Sequence, residues 1–588
     1  MKAPNVTLPL LRIPLVLWLA FLPSFTFAAG AADRDTRQAT DSRQATADPR
    51  PRLEVIEDLS ESLANDVLDL SVAVRDREWV RIERFFGATV TSTPLPSVPG
   101  ALEPRVKWLS DRKWTADAAG AGGARTRDAL LDEWRRLLDH YGEIEDVRFK
   151  VRGATFDDTA QAVSTANVPT AVPGATGHAR IGFWIVGRNA DGRREWLRGS
   201  FEADVRYPEG GPWQVVASDK AQVGSMVASV DLFSEVATPA GVSHRIPAYG
   251  TPENGGFVWK GAAAGDANGD GWIDLFVTGA TGNFLYLNEG NGRFRDASAE
   301  AGVNALATGS GPLFADIDND GDLDVFIAAV GQQVLLENRL VPDKRLRFED
   351  VSLEKGVAVD ATGFSAAAAD VNADGRPDFY VASYNAYGRV TPNSWTAATN
   401  GTPNLLFVSQ PGGGYREEAA KWGVNDGRWS YAAAFADLTD DGRPDLYVAN
   451  DFGEKGFFVH QGTSFKDEAR ERGVVDPGNG MGVAVGDYNN DGRLDLHVTN
   501  MSSTAGNRIL GRMFPGAKPG EQVLVKLASG NALFENLGGG RFREVTQEVG
   551  GLSGMWAWGG GFLDFDNDGH EDLFAPNGFI SGKSMKDT

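Results

Sequence analysis

One nine-residue acidic loop occurs six times between residues 266 and 572, and each copy runs directly into a short apolar strand. The copies follow the pattern Asp-x-(Asn/Asp)-x-Asp-Gly-x-x-Asp, and the single departure is a threonine at the third position of the fourth copy. Positions one, three, five and nine are Asp266, Asn268, Asp270 and Asp274; Asp316, Asp318, Asp320 and Asp324; Asp370, Asn372, Asp374 and Asp378; Asp437, Thr439, Asp441 and Asp445; Asp487, Asn489, Asp491 and Asp495; and Asp564, Asp566, Asp568 and Asp572. A segment that repeats one loop and one strand is expected to fold as an array of equivalent units.

The spacing of these residues suits a hard cation. Calcium takes about 6 to 8 oxygen ligands, and acidic side chains on alternate residues of a tight loop converge on one point. In the first copy the side chains at positions one, three, five and nine would bind the ion, Gly271 would permit the sharp turn, and Trp272 would offer its carbonyl. The sequence therefore predicts up to six structural Ca²⁺ ions, with the Thr439 loop as the weakest site.

Two other interpretations of the loops were weighed against calcium. An EF-hand requires a bidentate Glu at position twelve, where this chain has only apolar residues, so that interpretation is excluded. The loops could instead be polar β-turns, because Asp, Asn and Gly suit turn geometry. Six copies with Asp at positions one, five and nine and Gly at position six favour calcium over ordinary turns.

The N-terminus is typical of an export signal. Lys2 and Arg12 precede an apolar run over residues 13–27, which is shorter than the roughly 20 residues of a membrane span. We therefore predict a signal peptide over residues 1–28, cleaved after general secretory export, rather than a membrane anchor. The small, polar and locally repetitive residues 29–52 are predicted to be a disordered linker.

The composition agrees with a protein that works outside the cytoplasm. The chain has 588 residues, no cysteine and a net charge of −23, so neither disulfides nor a nucleic-acid footprint is indicated. Metal ligation can replace disulfide cross-links in loop-rich β structure. We predict a secreted, periplasmic or cell-surface protein, with no nucleic-acid partner and no stable membrane span after signal cleavage.

Residues 53–228 differ in pattern from the acidic repeats. Apolar residues recur at helical spacing over 53–74 and 127–142, whereas 181–186, 197–205 and 213–218 have the pattern of strands. Helices followed by an antiparallel sheet predict a small α+β domain. In this order of elements the segment resembles the nuclear-transport-factor-2-like cone fold, a resemblance that implies an internal pocket.

Residues 232–588 are periodic and predicted to be all β. The acidic loops begin 50, 54, 67, 50 and 77 residues apart, and a period near 50 is that of one propeller blade. The two long intervals contain insertions at residues 385–402 and 502–529, where binding function tends to lie. The fold class expected for the whole chain is therefore mainly β, a six- or seven-bladed β-propeller preceded by the α+β domain.

The repeat units, such as GPLFADIDNDGDLDVFIA and GVAVGDYNNDGRLDLHVTN, resemble FG-GAP/VCBS repeats. These are the calcium-loop propeller repeats of integrin α-chain heads and of cartilage acidic protein 1-like bacterial proteins. The resemblance covers about residues 232–588 and implies calcium in the loop between the first two strands of each blade. It also implies seven blades, whereas this chain has six loops.

Several side chains outside the loops were considered as functional groups. Trp259, Trp429, Trp556 and Trp558 lie just upstream of acidic loops, and we interpret them as blade packing rather than a sugar-stacking face. His460, His497 and His570 are too scattered for a zinc site. The leading hypothesis is a calcium-binding module that binds protein or carbohydrate. The alternatives are a polysaccharide lyase or hydrolase on the propeller and a small-molecule enzyme in the N-terminal pocket.

Overall fold

The structure is a computed structural model that describes residues 52–116, 123–165, 168–244, 260–279, 281–385, 390–514, 516, 519–551 and 556–577. The predicted signal peptide and almost all of the predicted linker lie outside these residues, as does Trp259. Residues 53–588 form one compact unit, so the predicted division near residue 230 stays a prediction. Within the part of the chain that is described, no helix is long and apolar enough to cross a membrane.

The α+β part combines helices with one large, mainly antiparallel sheet. Its helices are α1 (Arg52–Arg75), α2 (Trp79–Ile82) and α3 (Arg127–Asp139), with a 3-10 turn at Glu83–Phe85. Its strands are β1 (Phe86–Ser92), β2 (Val98–Val106), β3 (Leu109–Thr115), β4 (Gly123–Thr126), β5 (Tyr141–Phe156), β6 (Ala162–Thr165), β7 (Val168–Ala171), β8 (Thr176–Asn189), β9 (Arg194–Arg206) and β10 (Gln214–Ala228). The predicted helices are present, but β1 to β4 come before α3, so the sheet does not simply follow the helices as the sequence suggested.

The large sheet has the strand order β2-β3-β10-β9-β8-β5, and β1 joins it parallel to β10. One face of the sheet is apolar and packs against α1 and α3. Val147, Phe149 and Ile181 on the strands share a buried core with Leu63 of α1 and Trp134 of α3. Helix α1 packs along one side into this core because its apolar residues recur every three or four positions. The opposite face of the sheet carries polar and charged side chains.

The repeats form a series of small antiparallel sheets, with strands β11 (Gly261–Gly265), β12 (Asp274–Gly279), β13 (Gly282–Asn288), β14 (Phe294–Asp296), β15 (Gly311–Ala315), β16 (Asp324–Ala328), β17 (Val330–Gln332), β18 (Val334–Asn338), β19 (Phe348–Asp350), β20 (Asp360–Ala369), β21 (Asp378–Ser383), β22 (Leu405–Ser409), β23 (Tyr415–Glu417), β24 (Trp429–Ala436), β25 (Asp445–Phe452), β26 (Gly456–His460), β27 (Phe465–Asp467), β28 (Gly480–Gly486), β29 (Asp495–Asn500), β30 (Ala532–Asn536), β31 (Phe542–Glu544), β32 (Gly561–Leu563) and β33 (Asp572–Phe574). The short helix α4 (Ala237–Ala240) precedes these strands, and a 3-10 turn at Val303–Ala305 and the helices α5 (Leu340–Asp343), α6 (Ala419–Trp422), α7 (Ala469–Arg472), α8 (Thr504–Met513) and α9 (Pro519–Lys526) lie between them.

Each of the first five repeats contributes four strands paired in chain order, with β17 added to the edge of the third sheet beside β20. The described part of the sixth repeat contributes the pair β32-β33. The first strands of the sheets, β11, β15, β20, β24, β28 and β32, contact one another in sequence. Many of their residues are Gly, Ala or Ser, and at Gly311 the close approach of two strands requires it, because a Cβ atom there would lie 2.7 Å from Ser365 Cα.

In the second to fifth sheets the second strand is buried on both faces, and alternate residues pack against the preceding and the following sheet. Val325 packs with Phe276 of the first sheet, whereas its neighbour Phe326 packs with Phe379 of the third. Tyr447 packs in the same way with Phe534 of the fifth sheet. Burying one such aromatic side chain contributes about 2 to 3 kcal/mol. Face-to-face stacking of four-stranded sheets around their first strands is the architecture of a β-propeller. The number of blades stays a prediction.

Candidate metal centre in the acidic loops

All six acidic loops connect the first strand of a sheet to the second, the position that the sequence resemblance implied. Each loop begins one residue after the first strand ends, and its ninth residue is the first residue of the second strand. The loops therefore occupy equivalent positions at one end of the sheets. This equivalence lets each position of the nine-residue pattern be compared across the six copies.

The side chain of the first aspartate accepts hydrogen bonds from the backbone of its own loop. Its two carboxylate oxygens accept hydrogen bonds from the backbone N–H groups of positions five and six, with distances of 2.7–3.2 Å in every copy. The fifth residue accepts a hydrogen bond from the N–H of position seven in every copy. These bonds fold the side chains of positions one and five back over the loop.

Two residues of each loop have the left-handed backbone conformation, with positive φ. Position six is Gly in every copy, and position four also has positive φ in every copy, from 55° to 72°, although its residue type varies. Gly269, Asn319, Asp440, Asn490 and Asn567 are of the types that tolerate this conformation, whereas Ala373 is not. Position four has no fixed identity, but its preference for Gly, Asn and Asp was the sign of this requirement in the sequence.

We expect Ala373→Asn to stabilise the protein by about 0.5 to 1 kcal/mol. An alanine Cβ in the left-handed region costs about 1 to 2 kcal/mol, and asparagine tolerates that region better. Thermal unfolding in EDTA would measure the gain without any contribution from calcium. Ala397→Asn, at an exposed residue outside the left-handed region, is the matched control. An equal change in both variants would contradict the explanation from backbone strain.

The ninth residue connects three parts of its own sheet. One carboxylate oxygen accepts from the backbone N–H of position two, at 2.8–3.4 Å across the six copies. In the first five copies the other oxygen accepts from the N–H of the last residue of the third strand paired in that sheet, at 2.7–2.9 Å. This aspartate is at most 2% exposed in those five copies. Position nine, a predicted cation ligand, thus stabilises the blade through its own hydrogen bonds.

Burial raises the pKa of these ninth-position carboxyls. The pKa of Asp324 rises to about 8, and those of Asp378 and Asp495 rise to about 6, in each case because burial disfavours the charged form. A neighbouring cation would offset that cost, since an opposite charge favours the carboxylate. The electrostatics of the loops therefore match a cation-binding role.

The structure brings carboxylates together most closely in the second and sixth loops. Oxygen atoms of Asp316, Asp318 and Asp324 lie within 4.8 Å of one another, and so do those of Asp564, Asp566 and Asp572. In the first and third loops the asparagine at position three donates to the aspartate at position five, at 2.9 and 3.1 Å. The donor set is entirely oxygen, which is the chemistry that calcium prefers and zinc does not.

The side chain of position seven has its own contacts, which the sequence did not suggest. Arg443 pairs with Asp441 at 2.6 Å, and Arg493 pairs with Asp491, so a guanidinium lies on the fifth carboxylate of the fourth and fifth loops. Asp322 accepts from the N–H of Val341 at 2.7 Å and is buried. Ion pairing in the fourth loop adds to the departure at Thr439, so this loop remains the weakest predicted site.

Neighbouring blades are linked through the second residue of the loops. The side chain of the last residue of a third strand donates a hydrogen bond to the position-two carbonyl of the preceding repeat. Asn338 donates to Ala267 at 2.9 Å, and His460 Nε2 donates to Val371 at 3.0 Å. Asn536 donates in the same way to the Leu438 carbonyl at 3.1 Å. Sequence reasoning missed this role. The signal for it was the Asn or His that recurs as the first residue of the sequences NEG, NRL, HQG and NLG.

Two side chains that the sequence singled out are part of the packing. Trp429 is 2% exposed, stacks edge-on against Tyr384 and donates from Nε1 to Asn400 Oδ1 at 2.9 Å. This supports the packing interpretation of Trp429. His497 is buried, and burial lowers its pKa to about 4, so the ring is neutral at physiological pH.

The sixth loop also contacts the α+β part of the chain. Trp108, in the turn between β2 and β3, donates from Nε1 to Asp566 Oδ2 at 2.9 Å. The Trp108 ring packs edge-on against Phe565, with 5.2 Å between centroids, and Phe233 packs on the same phenylalanine at 5.8 Å. One oxygen of a predicted ligand in this loop is therefore shared with a tryptophan from outside the repeats.

The fold and the loops define a β-propeller built from repeats with acidic loops. A family model described as FG-GAP-like repeat matches residues 266–327, 370–448, 437–498 and 523–575. The chain thus carries FG-GAP-like repeats, as the sequence pattern indicated.

Two curated proteins and one solved structure are similar to parts of the chain. Cartilage acidic protein 1 of Mus musculus is 26% identical over 221 residues, which are 34% of this chain and 34% of that protein. Cartilage acidic protein 1 of Homo sapiens is 28% identical over 155 residues, which are 26% of this chain and 22% of that protein. The chain therefore spans about a third or less of these relatives.

A solved structure of a lectin from Agrocybe aegerita, described as recognising non-reducing terminal N-acetylglucosamine, is 11% identical. It covers 84% of this chain and 99% of its own, with a TM-score of 0.29. A similarity at that score carries no argument about fold or ligand.

Proposed function

We propose that this protein is an exported, calcium-stabilised β-propeller that binds a protein or a carbohydrate outside the cytoplasm. The observation that supports it best is the equivalence of the six loops, which place oxygen ligands at the same four positions of each FG-GAP-like repeat. Calcium in these loops would have a structural role, because the same side chains also fix the turn and join the strands. Millimolar calcium outside the cell would keep sites with dissociation constants of about 10⁻⁴ to 10⁻³ M filled.

The end of the propeller opposite the loops is the best candidate for the ligand face. Both long insertions start there, because each follows the end of a second strand: residues 385–402 follow β21, and residues 502–529 follow β29. The first insertion is fixed to the propeller by the bond from Trp429 to Asn400. The second contains α8 and α9, and Asn507 donates across it to the Ala528 carbonyl at 2.8 Å. Insertions held on a stable scaffold are frequent sites of recognition.

The buried acids near this end favour binding over catalysis. Asp451 accepts from Tyr384 Oη at 2.5 Å, and burial raises its pKa to about 6. Asp476 lies 3.5 Å from the buried Lys455, whose charge lowers the pKa of Asp476 against the effect of burial. Each aspartate is only 3% exposed, so this pair joins neighbouring blades rather than facing a cleft. A polysaccharide lyase or hydrolase would need such carboxylates within reach of substrate.

The apolar cavity of the α+β part is also small. It lies between α1 and the large sheet, is lined by residues such as Leu63, Trp134 and Phe149, and has a volume of about 20 Å³. That volume admits about one water molecule. A small-molecule substrate would require this cavity to open.

The calcium proposal is tested by counting bound ions in Asp318→Ala, which removes the oxygen ligand at position three of the second loop. Asp318 makes one weak hydrogen bond in the loop, from Asp320 N at 3.3 Å, so little else is lost with its side chain. We expect equilibrium dialysis at millimolar calcium to show one ion fewer than in the wild type. Unfolding in EDTA should stay within about 0.5 kcal/mol of the wild type, because only a surface carboxylate is lost.

Asp360→Ala, at an exposed acid at the start of β20, is the matched control and should leave the ion count unchanged. A wild-type protein that binds no calcium in the millimolar range would overturn the proposal. The binding role is tested separately, by measuring binding of the calcium-loaded chain to a panel of polysaccharides and extracellular proteins with and without EDTA.

A further inference from the structure

The exposed face of the large sheet in the α+β part carries a row of side chains that runs across five strands. Backbone pairing aligns Lys113 of β3 with Gly224 of β10, Arg198 of β9, Trp184 of β8 and Arg148 of β5. These residues alternate with core residues, so they lie on the face opposite the apolar core. The row is therefore an outer surface of the sheet.

The next row on the same face is lined by small and polar groups. It aligns Gln222, Ser200, Gly182 and Lys150. Because Gly224, Gly182 and Ser200 rise little above the sheet, an open depression of about 430 Å³ forms there. It is lined by Arg198, Gly199, Ser200, Gln222, Val223 and Gly224.

Cations outnumber the acids Asp111, Asp146, Glu202 and Asp204 on this face, although the net charge of the chain is −23. We call it the basic face and define it by six cations: Lys113, Arg148, Lys150, Arg152, Arg180 and Arg198. Arg148 lies 3.7 Å from Asp146, but the other five form no salt bridge within the described residues. Arg152, Arg180 and Arg198 are exposed.

The cations of the basic face repel one another. Burial, followed by the charges of Arg152 and Arg148, lowers the pKa of Lys150 to about 8. Burial, followed by Arg180 and Arg198, lowers the pKa of Arg152. A bound anion would relieve this repulsion, so the face has both the shape and the charge of an anion-binding surface.

We propose that the basic face binds an acidic polysaccharide. Carboxylate or sulfate groups of the polymer would bind Arg198 and its neighbouring cations, since guanidinium groups form strong charge-assisted hydrogen bonds with such oxyanions. The Ser200 hydroxyl and the Gln222 amide in the depression would bind sugar hydroxyls. Cations two residues apart on one strand lie about 6.6 Å from each other, which suits a polymer with repeated charge.

Other polyanions fit this face less well. Single-stranded nucleic acid needs aromatic rings on which bases can stack, but Lys150 lies over the Trp184 ring at 5.4 Å and Arg194 lies over the Trp196 ring at 5.1 Å. An anionic membrane surface favours apolar side chains that insert beside the cations. Within the described residues, none of the exposed large apolar side chains lies on β5, β8, β9 or β10. The hydroxyl and amide groups of the depression favour sugar.

This proposal concerns the α+β part and does not depend on the ligand of the propeller or on its calcium count. The test measures binding of the full-length, calcium-loaded protein to polygalacturonate and dextran sulfate by calorimetry, with neutral dextran as the uncharged probe. We expect binding to the acidic polymers that weakens at high salt, and none to dextran.

Two variants locate the site by different means. Arg198→Ala removes a cation, and we expect about tenfold weaker binding, the effect of losing one charge-assisted contact. Gly224→Leu fills the depression without changing charge, and a Cβ there meets only the Arg112 carbonyl oxygen at 3.6 Å. It should weaken binding to a similar extent. Arg193→Ala, in the turn between β8 and β9, removes an exposed cation outside the face and should bind like the wild type.

Thermal midpoints of the variants in calcium report whether each has folded. Failure of the wild type to bind either acidic polymer, or equal binding by all three variants, would overturn the proposal. Preference for single-stranded DNA or for phosphatidylglycerol vesicles over the acidic polymers would overturn it as well.

Discussion

Removal of calcium with EDTA should lower the thermal midpoint of this protein by about 2 to 9 °C relative to 1 mM calcium. A site with a dissociation constant of about 10⁻⁴ M is stabilised by about 1.4 kcal/mol at that concentration, and one of about 10⁻³ M by about 0.4 kcal/mol. Six independent sites would together contribute about 2.5 to 8.5 kcal/mol. Because the entropy of unfolding is about 2.1 cal/mol/K per residue, a unit of about 540 residues shifts by about 1 °C per kcal/mol.

The measurement is thermal unfolding in EDTA and then across calcium concentrations from micromolar to several millimolar. Magnesium at the same concentrations is the control, because its smaller ion requires near-octahedral geometry and gives up water reluctantly. We expect little or no shift with magnesium. A midpoint that does not respond to calcium would mean that the six loops are hydrogen-bonded turns and nothing more.

The second large effect is expected for Asn536→Ala, which should destabilise the protein by about 2 to 4 kcal/mol even in EDTA. Asn536 is fully buried and donates to the carbonyls of Leu438 and Leu494, both at 3.1 Å, while its oxygen accepts from Gly538 N. Each buried group left unpaired costs about 1 to 3 kcal/mol. Because the Leu438 carbonyl belongs to the fourth loop, in the preceding repeat, the loss of this hydrogen bond should also destabilise that loop.

Chemical denaturation in EDTA would measure the effect of Asn536→Ala. Asn291→Ala is the matched control, since its side chain is exposed and accepts a single hydrogen bond from Arg293 N at 3.0 Å. We expect the control to lose less than about 1 kcal/mol. Equal losses in both variants would show that the link between blades adds nothing to stability.

Local sequence was sufficient to predict the repeats, since every predicted ligand position of a loop lies within nine residues. The loops therefore lie between the first and second strands as expected, and Trp429 packs inside the propeller. The links between blades could not be found in this way. Asn338 and Ala267 are 71 residues apart, and Asn536 and Leu438 are 98 apart, so only the stacking of sheets brings them together.

The α+β part was harder to predict for a related reason. Its helices follow from apolar spacing, which is a local property. The pairing of β1 with β10 joins residues such as Phe86 and Val215, which no short pattern connects. The basic face was missed because its cations come from β3, β5, β8 and β9. They become neighbours only through the register of the sheet.

The contact of Trp108 with the sixth loop means that removal of the N-terminal part would affect the last repeat. Arrays of repeats usually need end units that cover the apolar surface of the last repeat. Trp108 of the α+β part and Phe233, which precedes the first repeat strand, cover Phe565, so the chain before the first repeat strand serves as an end cap of the array. A fragment that begins after residue 233 would expose this phenylalanine, and the sixth loop would be the first to lose its order.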